Sequence, residues 1–413
     1  PAYKDSGIEW IGQVPEHWKV ARVKRLASLR NERRNDVSTD TIYIGLEDVE
    51  AGSGQYKPTN GSSRQSEDST VGIFYEGDVL YGKLRPYLRK AIISEMAGCC
   101  STEFLVLRAE KTEPRWLQEW LLTPDVTHQI ESGCEGAKMP RADWGHIGSI
   151  EVVYPDQHEQ AQILTTLDRE TARIDALIEK KTRFIELLKE KRQALITHAV
   201  TKGLDPNVKM KDSGVEWIGL VPEHWDVKPF FALVTELNRK NVGLVETNIL
   251  SLSYGNIIQK PETRNMGLTP ESYETYQIVE SGEIVFRFTD LQNDKHSLRS
   301  ALVTQRGIIT SAYMAVKPHS IDSTYFAWLM RSYDLCKVFY AMGGGLRQSL
   351  KFEDVRRLPV LIPPVDEQSA ITNTINAGTA RIDALVEKTE QSITLLKERR
   401  AAFITAAVTG QID

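Results

Sequence analysis

Two carboxylates and a lysine in the sequence are spaced like the metal-binding residues of a nuclease. Pro155-Asp156 is followed by Glu179-Lys180-Lys181, and in this PD…ExK order the carboxylates hold Mg²⁺ while the lysine supports the attacking water. The residues between them have the periodicity of a single helix. At ~1.5 Å of rise per residue, Asp156 and Glu179 would lie ~30 Å apart, too far to share one ion. A stand-alone nuclease is an alternative that requires this pair, and substitution of Glu179 would test it.

Histidine and cysteine occur without the spacing of a metal site. His17 and His224 stand in a repeated Pro-Glu-His-Trp motif, where we predict a turn that packs Trp18 and Trp225 against the core. The four cysteines contain no CxxC pair, so neither a zinc site nor a disulfide scaffold is expected, and a reducing cytoplasm fits. The sequence also lacks the GxxxxGK[ST], HExxH and GxSxG motifs, a GxGxxG after a predicted strand, and the methyltransferase spelling [N/D]PP[Y/F].

Basic and polar side chains are concentrated at two places in the first half of the chain. Residues 81–90 combine four cations with two tyrosines between two predicted strands, and residues 136–141 follow a predicted helix. Arg and Lys hydrogen-bond to guanine, and Asn and Gln to adenine, at base edges in the major groove of DNA. These segments supply eight candidate DNA contacts: Tyr81, Lys83, Arg85, Tyr87, Arg89, Lys90, Lys138 and Arg141.

The second half of the chain has clusters at the equivalent places, with different side chains. They lie in residues 287–299 and 343–351. A single cluster of this kind is typical of a solvated turn, but two matching places with unequal side chains favour the reading of two different half-sequences. The candidate contacts here are Arg287, Asn293, Lys295, Arg299, Arg347, Gln348 and Lys351.

The chain is a tandem duplication. KDSGIEWIGQVPEHW at residues 4–18 returns as KDSGVEWIGLVPEHW at residues 211–225, and ARIDALIEK at 172–180 returns as ARIDALVEK at 380–388. The later LLKEKR at 187–192 returns as LLKERR at 395–400. Each copy therefore consists of a variable block followed by a nearly invariant segment. Two copies are too few for a solenoid.

Both nearly invariant segments are predicted to be long helices that pair with each other. Alternating steps of three and four residues are the signature of a coiled-coil seam, and Gly203 and Gly410 stand where C-terminal caps are expected. A variable block between the helices allows antiparallel pairing; packing of each helix on its own block is the alternative. The predicted seam residues are Leu167, Ile174, Ile178, Ile185, Leu188, Leu195, Ile375, Ile382, Val386, Ile393, Leu396 and Phe403.

The variable blocks are predicted to be mixed α/β, each with one late helix, Arg115–Ile130 and Ser323–Tyr340. The predicted strands of the first block are Thr41–Leu46, Asp78–Tyr81, Lys90–Ser94, Phe104–Leu107 and Ile150–Val153, and those of the second are Asn248–Ser253, Glu283–Phe286, Ser300–Thr304, Tyr313–Val316 and Pro359–Ile362.

Composition and charge are those of a globular protein. The chain has 413 residues, of which 41% are hydrophobic and 26% charged, which argues against disorder. No apolar run approaches the ~20 residues of a membrane span, and no signal-peptide pattern opens the sequence. The formal charge is −5, with residues 27–150 carrying 14 Lys and Arg against 19 Asp and Glu, and residues 234–357 carrying 15 against 13. Because DNA affinity depends on phosphate neutralisation, we expect the chain alone to bind DNA weakly.

Taken together, the duplicated KDSG[I/V]EWIGxVPEHW, the paired ARIDAL[I/V]EK…LLKE[K/R]R helices and the Glu-Gln that opens each helix (Glu159-Gln160 and Glu367-Gln368) resemble a type I restriction–modification specificity subunit. The resemblance covers nearly the whole chain. It implies an α+β protein with a pseudo-two-fold internal repeat, in which two mixed α/β target recognition domains are separated by two long helices that pair as an antiparallel coiled coil. The implied domains are residues 1–157, 158–203, 204–364 and 365–413.

The resemblance also implies a function in DNA recognition. Such a subunit is not an enzyme; it binds a bipartite, asymmetric site in double-stranded DNA and docks two adenine-N6 methyltransferase subunits and up to two restriction subunits. It holds no metal or cofactor of its own, while S-adenosylmethionine, ATP and Mg²⁺ are expected in the partners. The helices would act as a spacer, so that lengthening both by one heptad, ~10 Å, would widen the gap between half-sites. A coiled-coil adaptor or decoy scaffold that does not bind DNA is the alternative.

Overall fold

The computed structural model describes residues 2–38, 40–59, 69–134, 138–260, 272–291, 294, 297–342 and 349–412. The chain forms two compact units. Unit 1 comprises residues 1–182 and 391–413, and unit 2 comprises residues 183–390. Both boundaries fall inside long helices, so each unit contains one variable block and a part of each long helix.

The block of unit 1 is built on short strands. A four-stranded antiparallel sheet has the order β4-β11-β8-β9, a second sheet has the order β5-β7-β10-β6, and two further pairs are β1-β2 and β3-β12. Each strand predicted for this block overlaps a strand of the structure. The strands are β1 (Tyr3–Asp5), β2 (Gln13–Pro15), β3 (Lys19–Arg22), β4 (Ala27–Leu29), β5 (Arg33–Arg34), β6 (Tyr43–Ile44), β7 (Val71–Phe74), β8 (Val79–Gly82), β9 (Ala91–Ile93), β10 (Gly98–Cys100), β11 (Phe104–Ala109) and β12 (Glu151–Tyr154).

Among the described residues of this block, three short helices cover it: α1 (Pro114–Leu122), α2 (Pro124–Glu131) and α3 (Trp144–Ser149). The single helix predicted over 115–130 is therefore wrong in one respect, since it breaks at Thr123, whose ψ is 132°. The cause is Pro124, which has no N–H and disfavours helical geometry in the residue before it. The aromatic face of α1 is buried, as the sequence suggested, with Trp116 and Trp120 each 2% exposed.

The long helix α4 (Gln157–Lys202) leads from unit 1 into unit 2, whose block repeats the plan. Its main sheet has the order β16-β23-β20-β21, matching β4-β11-β8-β9. The strands are β13 (Met210–Asp212), β14 (Leu220–Pro222), β15 (Asp226–Pro229), β16 (Val234–Leu237), β17 (Leu250–Ser253), β18 (Asn256–Gln259), β19 (Gln277–Val279), β20 (Ile284–Phe286), β21 (Ser300–Leu302), β22 (Gly307–Ile309), β23 (Met314–Pro318) and β24 (Pro359–Ile362).

The helices of the second block are α5 (Ser323–Leu335) and α6 (Phe352–Val355), and the chain then enters the long helix α7 (Val365–Val408). The helix predicted over 323–340 ends early. Lys337 has a left-handed backbone with φ 61°, and a separate 3₁₀ turn, Val338–Ala341, follows it. This conformation is incompatible with continuing an α-helix.

The predicted antiparallel pairing of the long helices is confirmed within each unit. In unit 2, Arg192 Nε on α4 lies 3.0 Å from Asp383 Oδ1 on α7, and Gly378 packs against Leu195. In unit 1, Arg400 Nε on α7 lies 2.8 Å from Asp175 Oδ1 on α4. The two bridges use equivalent residues with the roles of the helices exchanged, because position 192 corresponds to 400 and position 175 to 383.

The hydrophobic seam of the helices is enclosed. All twelve seam residues named from the sequence are buried or partly buried, among them Leu167 at 1% and Ile375 at 0% exposure. In unit 2 the seam continues into the block, since Ile196 and Ile371 share one core with Trp225 and Phe326. The helical segments are therefore a structural part of each unit.

The repeated motifs lock the start of each long helix. Glu159 on α4 accepts a hydrogen bond from Trp18 Nε1 at 3.0 Å, and its other oxygen lies 2.7 Å from His17 Nε2. Glu367 on α7 makes the same two contacts with Trp225 and His224, at the same distances. The predicted turn that buries the two tryptophans is confirmed, and each histidine binds a glutamate.

The glutamines that follow are buried and bonded on both sides. Gln160 donates to Pro155 O at 3.0 Å and accepts from Glu113 N at 3.0 Å. Gln368 donates to Pro363 O at 2.8 Å and accepts from Asp322 N at 2.9 Å. The Glu-Gln pair thus ties each helix start to the turn motif and to the segment before α1 or α5.

A glycine follows the C-terminal end of each long helix and packs closely against the Glu367 or Pro15 region. Gly203 and Gly410 both have φ +74°, as expected of left-handed C-terminal caps. A Cβ on Gly203 would lie 3.0 Å from Glu367 Oε1, and a Cβ on Gly410 would lie 2.8 Å from Pro15. Both the backbone conformation and the close approach therefore favour glycine at these positions.

Candidate nucleic-acid interface

The two basic clusters predicted in the first block form one surface. Arg85 N donates to Pro140 O at 2.8 Å, and Ala142 N donates to Lys83 O at 2.9 Å. A β-bridge also joins Leu84 to Arg141. We call residues 83–90 and 138–142 the unit 1 loop surface.

The loop between β8 and β9 has a fixed and strained conformation. A 3₁₀ turn, Pro86–Leu88, is flanked by Arg85 and Arg89, both in the left-handed region with φ of 53° and 47°. A left-handed backbone costs a non-glycine residue roughly 1–2 kcal/mol, and such residues cluster at binding sites. The turn leaves Arg85 exposed and Tyr87 49% exposed.

Several cations of this surface are already bonded to protein groups. Lys90 Nζ donates to Leu46 O at 2.7 Å, and Arg89 Nη1 to Leu122 O at 3.4 Å. Arg141 makes hydrogen bonds of 3.2 and 3.1 Å to the two carboxylate oxygens of Glu103. Arg85, Lys138 and Arg141 are exposed and Lys83 is partly exposed, but Arg141 differs from the other three in its pairing with Glu103.

Tyr81 lies in the core of unit 1. It is on β8, all four residues of which are buried, and its exposure is 0%. Burial raises the pKa of its hydroxyl well above the ordinary value. Tyr81 therefore supports the strand that precedes the loop.

The second block has the same framework. Leu350 N donates to Phe288 O at 2.9 Å, in the place of the bond between Ala142 and Lys83, and Arg287 N donates to Arg299 O at 2.8 Å. The corresponding bond in unit 1 joins Gly82 N to Lys90 O at 2.9 Å. We call the described residues within 287–299 and 349–351 the unit 2 loop surface.

Arg299 stabilises this loop from inside. Its side chain is 0% exposed, and its guanidinium donates to the carbonyl oxygens of Thr289 at 3.0 Å and of Asp294, as well as to Tyr340 Oη at 3.2 Å. Its backbone N–H donates to the carboxylate of Asp334 at 2.5 Å. Burial raises the pKa of that carboxyl, although the hydrogen bond from Arg299 N acts in the opposite direction.

The remaining predicted contacts of unit 2 differ in exposure. The Arg287 side chain is 33% exposed, and its Nη2 lies 4.0 Å from the carboxylate of Asp294. Lys351 is exposed at the start of α6, where its backbone N–H donates to Asp354 Oδ2 at 2.7 Å. Asn293, Lys295, Arg347 and Gln348 lie outside the described residues.

Two residues that organise these loops were not identified from the sequence. Glu103 holds the guanidinium of Arg141, and Tyr340 accepts from Arg299 while Lys337 Nζ lies 4.7 Å from its ring centroid. Glu103 and Tyr340 are each far in sequence from the arginine that they contact. Only long-range pairing brings them together, and no local motif marks them.

The structure provides no nuclease centre at the PD…ExK spelling. Asp156 caps α4, accepting from Glu159 N at 2.9 Å, while Glu179 lies on the same helix. Among the described residues, no group of three or more His, Cys, Asp or Glu could hold a metal ion. No helix in that part of the chain is long and apolar enough to cross a membrane.

Comparison with known proteins gives relatives of a single kind. No family model matches the chain. It is 22% identical over 204 residues to the type I restriction enzyme EcoDI specificity subunit of Escherichia coli, a match that covers 48% of this chain and 46% of that protein. It is 22% identical over 428 residues to a candidate type I restriction enzyme MjaX specificity subunit of Methanocaldococcus jannaschii, covering 97% and 95% of the two chains.

Solved structures share the fold. A chain from a structure on complex assembly and conformational transition of the type I R-M system matches with a TM-score of 0.74 at 14% identity, covering 97% of this chain and 99% of that one. The HsdS subunit from Thermoanaerobacter tengcongensis matches with a TM-score of 0.57 at 17% identity, covering 97% and 98%. In its duplicated motifs, in sequence over nearly its full length and in its fold, the chain is similar to type I restriction–modification specificity subunits.

Proposed function

We propose that this chain is the DNA sequence-recognition subunit of a type I restriction–modification complex. Each block reads one half of a bipartite, asymmetric site in double-stranded DNA, and the long helices dock the partner subunits. The chain contributes recognition and assembly, and the methyltransferase and ATP-dependent endonuclease activities belong to its partners. The relatives named as specificity subunits support this division of roles.

One observation carries the proposal. In both units a hydrogen bond of 2.9 Å at the equivalent place joins two loops into one surface, from Ala142 N to Lys83 O and from Leu350 N to Phe288 O. The framework is the same, while the side chains on it differ. Such an arrangement suits two readers of unrelated half-sequences, because base edges are distinguished by side-chain type.

Exposure and pairing with other protein groups divide the predicted contacts, and Arg141, although exposed, is paired with Glu103. Arg85, Tyr87 and Lys138 of unit 1 and Lys351 of unit 2 are exposed, so we assign direct DNA contact to them. Lys83, Arg89, Lys90, Arg141 and Arg287, as well as Asn293, Lys295, Arg347 and Gln348, stay candidates. We assign Tyr81 and Arg299 a supporting role, because both are buried.

Two observations support the proposed partners: the resemblance to specificity subunits and the exposed apolar side chains on the long helices. Leu177, Phe184 and Leu187 on α4 and Leu385 and Leu395 on α7 are exposed apolar side chains, with Leu395 at 64%. We propose that two methyltransferase subunits cover these helical faces and that restriction subunits add to the complex. S-adenosylmethionine, ATP and Mg²⁺ then bind to those partners.

Co-purification with candidate methyltransferase subunits, followed by mapping of methylated adenines, tests the proposal. In that complex, Arg85→Ala and Lys138→Ala should each weaken methylation of sites with the native first half-site by about 5- to 150-fold, if each removes ~1–3 kcal/mol of base discrimination. Arg108→Ala is the matched control, since Arg108 is an exposed arginine on β11 that lies outside the unit 1 loop surface.

A change in the second half-site when unit 1 is altered would contradict independent reading. The alternative of an adaptor or decoy without DNA binding would replace the proposal if two results were obtained together. The complex would assemble but methylate no DNA at any site, and alanine at Arg85 and Lys351 would leave the behaviour of the complex towards DNA unchanged.

A further inference from the structure

Each unit contains a cavity between its variable block and its segment of the helical pair. The cavity of unit 1, of about 550 Å³, is lined by residues of α1, by Arg89 and by Arg400 of α7. The cavity of unit 2, of about 510 Å³, is lined by residues of α5, by Gly255 and by Arg192 of α4. Arg192 and Arg400 are equivalent residues of the repeat, so the two cavities occupy matching places.

The charges that line the two cavities differ. Glu50, Glu119 and Asp175 face the cavity of unit 1 together with Arg89, Lys397 and Arg400, so the lining is balanced. In unit 2 the lining contains Arg192 and Arg331, and among its described residues there is no carboxylate.

The difference arises at two positions of the late helix. Glu119 and Thr123 of unit 1 correspond to Ala327 and Arg331 of unit 2. A negative side chain is thus removed and a positive one added at the same place in the fold.

The guanidinium of Arg331 is only partly satisfied by hydrogen bonds. Its Nη2 donates to Ser300 O at 3.0 Å and to Gly255 O at 2.5 Å, whereas its Nε is buried and has no hydrogen-bond partner in the described part of the chain. Burial lowers the pKa of the guanidinium, and the charge of Arg192 acts in the same direction.

The two carboxylates that act on Arg192 and Arg331 lie outside the lining of the cavity. Asp383 of α7 pairs with Arg192 at 3.0 Å. Asp334 of α5 attracts Arg331 but does not line the cavity, and its carboxylate accepts the backbone N–H of Arg299 at 2.5 Å. Because two arginines and no carboxylate line the cavity among the described residues, its lining favours an anion.

We propose that the unit 2 cavity binds a phosphate-bearing small molecule of nucleotide size. Guanidinium groups bind phosphate through paired hydrogen bonds, and the cavity volume is within the usual range of ~300–1,000 Å³ for small-molecule sites. Tyr254, at the turn between β17 and β18, lines the same cavity and is 88% exposed. Its ring offers an aromatic face on which a base can stack.

This site is separate from the proposed DNA contacts. Leu298, beside Arg299 on the unit 2 loop surface, is the residue that the cavity and that surface share. No described side chain to which we assign direct DNA contact lines the cavity. The inference therefore goes beyond DNA recognition and can fail without it.

Calorimetric titration of the full chain with ADP, and in parallel with inorganic pyrophosphate, tests the site. We expect saturable binding of both, with a dissociation constant below ~1 mM for ADP. Arg331→Met should weaken binding at least tenfold. Arg306→Met is the matched control, since Arg306 pairs with Glu246 away from the cavity, and should bind as the wild type does.

A second variant guards against loss of folding in Arg331→Met. Ala327→Glu introduces into unit 2 the carboxylate that unit 1 already carries at position 119, and it should abolish binding while the unfolding temperature is retained. Tyr254→Ala should weaken ADP but leave pyrophosphate unchanged. The absence of saturable binding in the wild type, or undiminished binding by a folded Ala327→Glu variant, would overturn the proposal.

Discussion

The contact between Glu367 and the Pro-Glu-His-Trp turn permits a quantitative test of what the repeated motifs do. Trp225 is 0% exposed, and its indole N–H donates to Glu367 Oε1 at 3.0 Å. Glu367→Ala leaves this buried donor without an acceptor, which costs about 1–3 kcal/mol. The second contact, to His224, is partly exposed and adds between ~0 and ~1 kcal/mol. We therefore expect a loss of about 2 kcal/mol in the local stability of unit 2.

Hydrogen exchange measured by mass spectrometry is the suitable assay, because two compact units need not unfold in one step. A loss of about 2 kcal/mol should accelerate exchange in the peptide 210–225 by about 30-fold. Glu367→Gln keeps a carbonyl acceptor for the indole and should cost less than ~1 kcal/mol. The matched variant in the other copy, Glu159→Ala, should accelerate exchange in residues 3–18 and leave 210–225 unchanged.

Two outcomes would refute this reasoning. Exchange in residues 210–225 that rises less than about threefold in Glu367→Ala would mean that the hydrogen bond to Trp225 contributes little. A glutamine variant as unstable as the alanine variant would show that charge, rather than the acceptor for Trp225, stabilises the turn.

Three further predictions concern stability. Burial raises the pKa of the Glu119 carboxyl above its ordinary 4.5, so the folded state binds this proton more tightly than the unfolded state does. The stability of unit 1 should therefore fall as the pH rises through the window just above 4.5. Glu119→Gln should flatten this dependence of stability on pH in thermal unfolding between pH 4 and 7, and an unchanged dependence would exclude Glu119 as its source. Arg400→Asp should destabilise unit 1 by up to ~1 kcal/mol, and the added exchange Asp175→Arg should restore the unfolding temperature; failure of the double variant to recover would contradict the bridge. Arg299→Met should cost about 1–3 kcal/mol, because it removes the buried guanidinium that donates to the carbonyl oxygens of Thr289 and Asp294 and to Tyr340 Oη. A urea midpoint equal to that of the wild type would argue against a structural role.

The strands and long helices were predictable because their signals are local. Strand propensity marked Phe104–Leu107 and Pro359–Ile362, and both are strands in the structure. The shortest strands, such as Arg33–Arg34, were not predicted, because two or three residues are too few to show an alternation of apolar and polar side chains. The sequence pattern did not predict the helix breaks at Thr123 and Lys337. The first break depends on a single residue, Pro124, and the second depends on the 3₁₀ turn Val338–Ala341 that follows Lys337.

The candidate site was only partly predictable. The sequence indicated which loops carry cations, but not that residues 83–90 and 138–142 hydrogen-bond into one surface. Tyr81 and Arg299 could not be separated from exposed neighbours, because the direction of a side chain beside a strand depends on what packs over it. Glu103 and Tyr340 gave no signal, since each acts on a residue distant in sequence.

The sequence by itself determined the duplication, the seam of the long helices and the glycine caps at positions 203 and 410. These features depend on composition, on a period of a few residues and on the φ that glycine alone adopts freely, all of which are local. Only the tertiary structure decided that each Glu-Gln pair holds the turn of its own copy, that Arg299 lies inside while Lys351 lies outside, and that Arg192 and Arg331 face one cavity. Those outcomes follow from the packing of distant segments, which sets burial and charge compensation residue by residue.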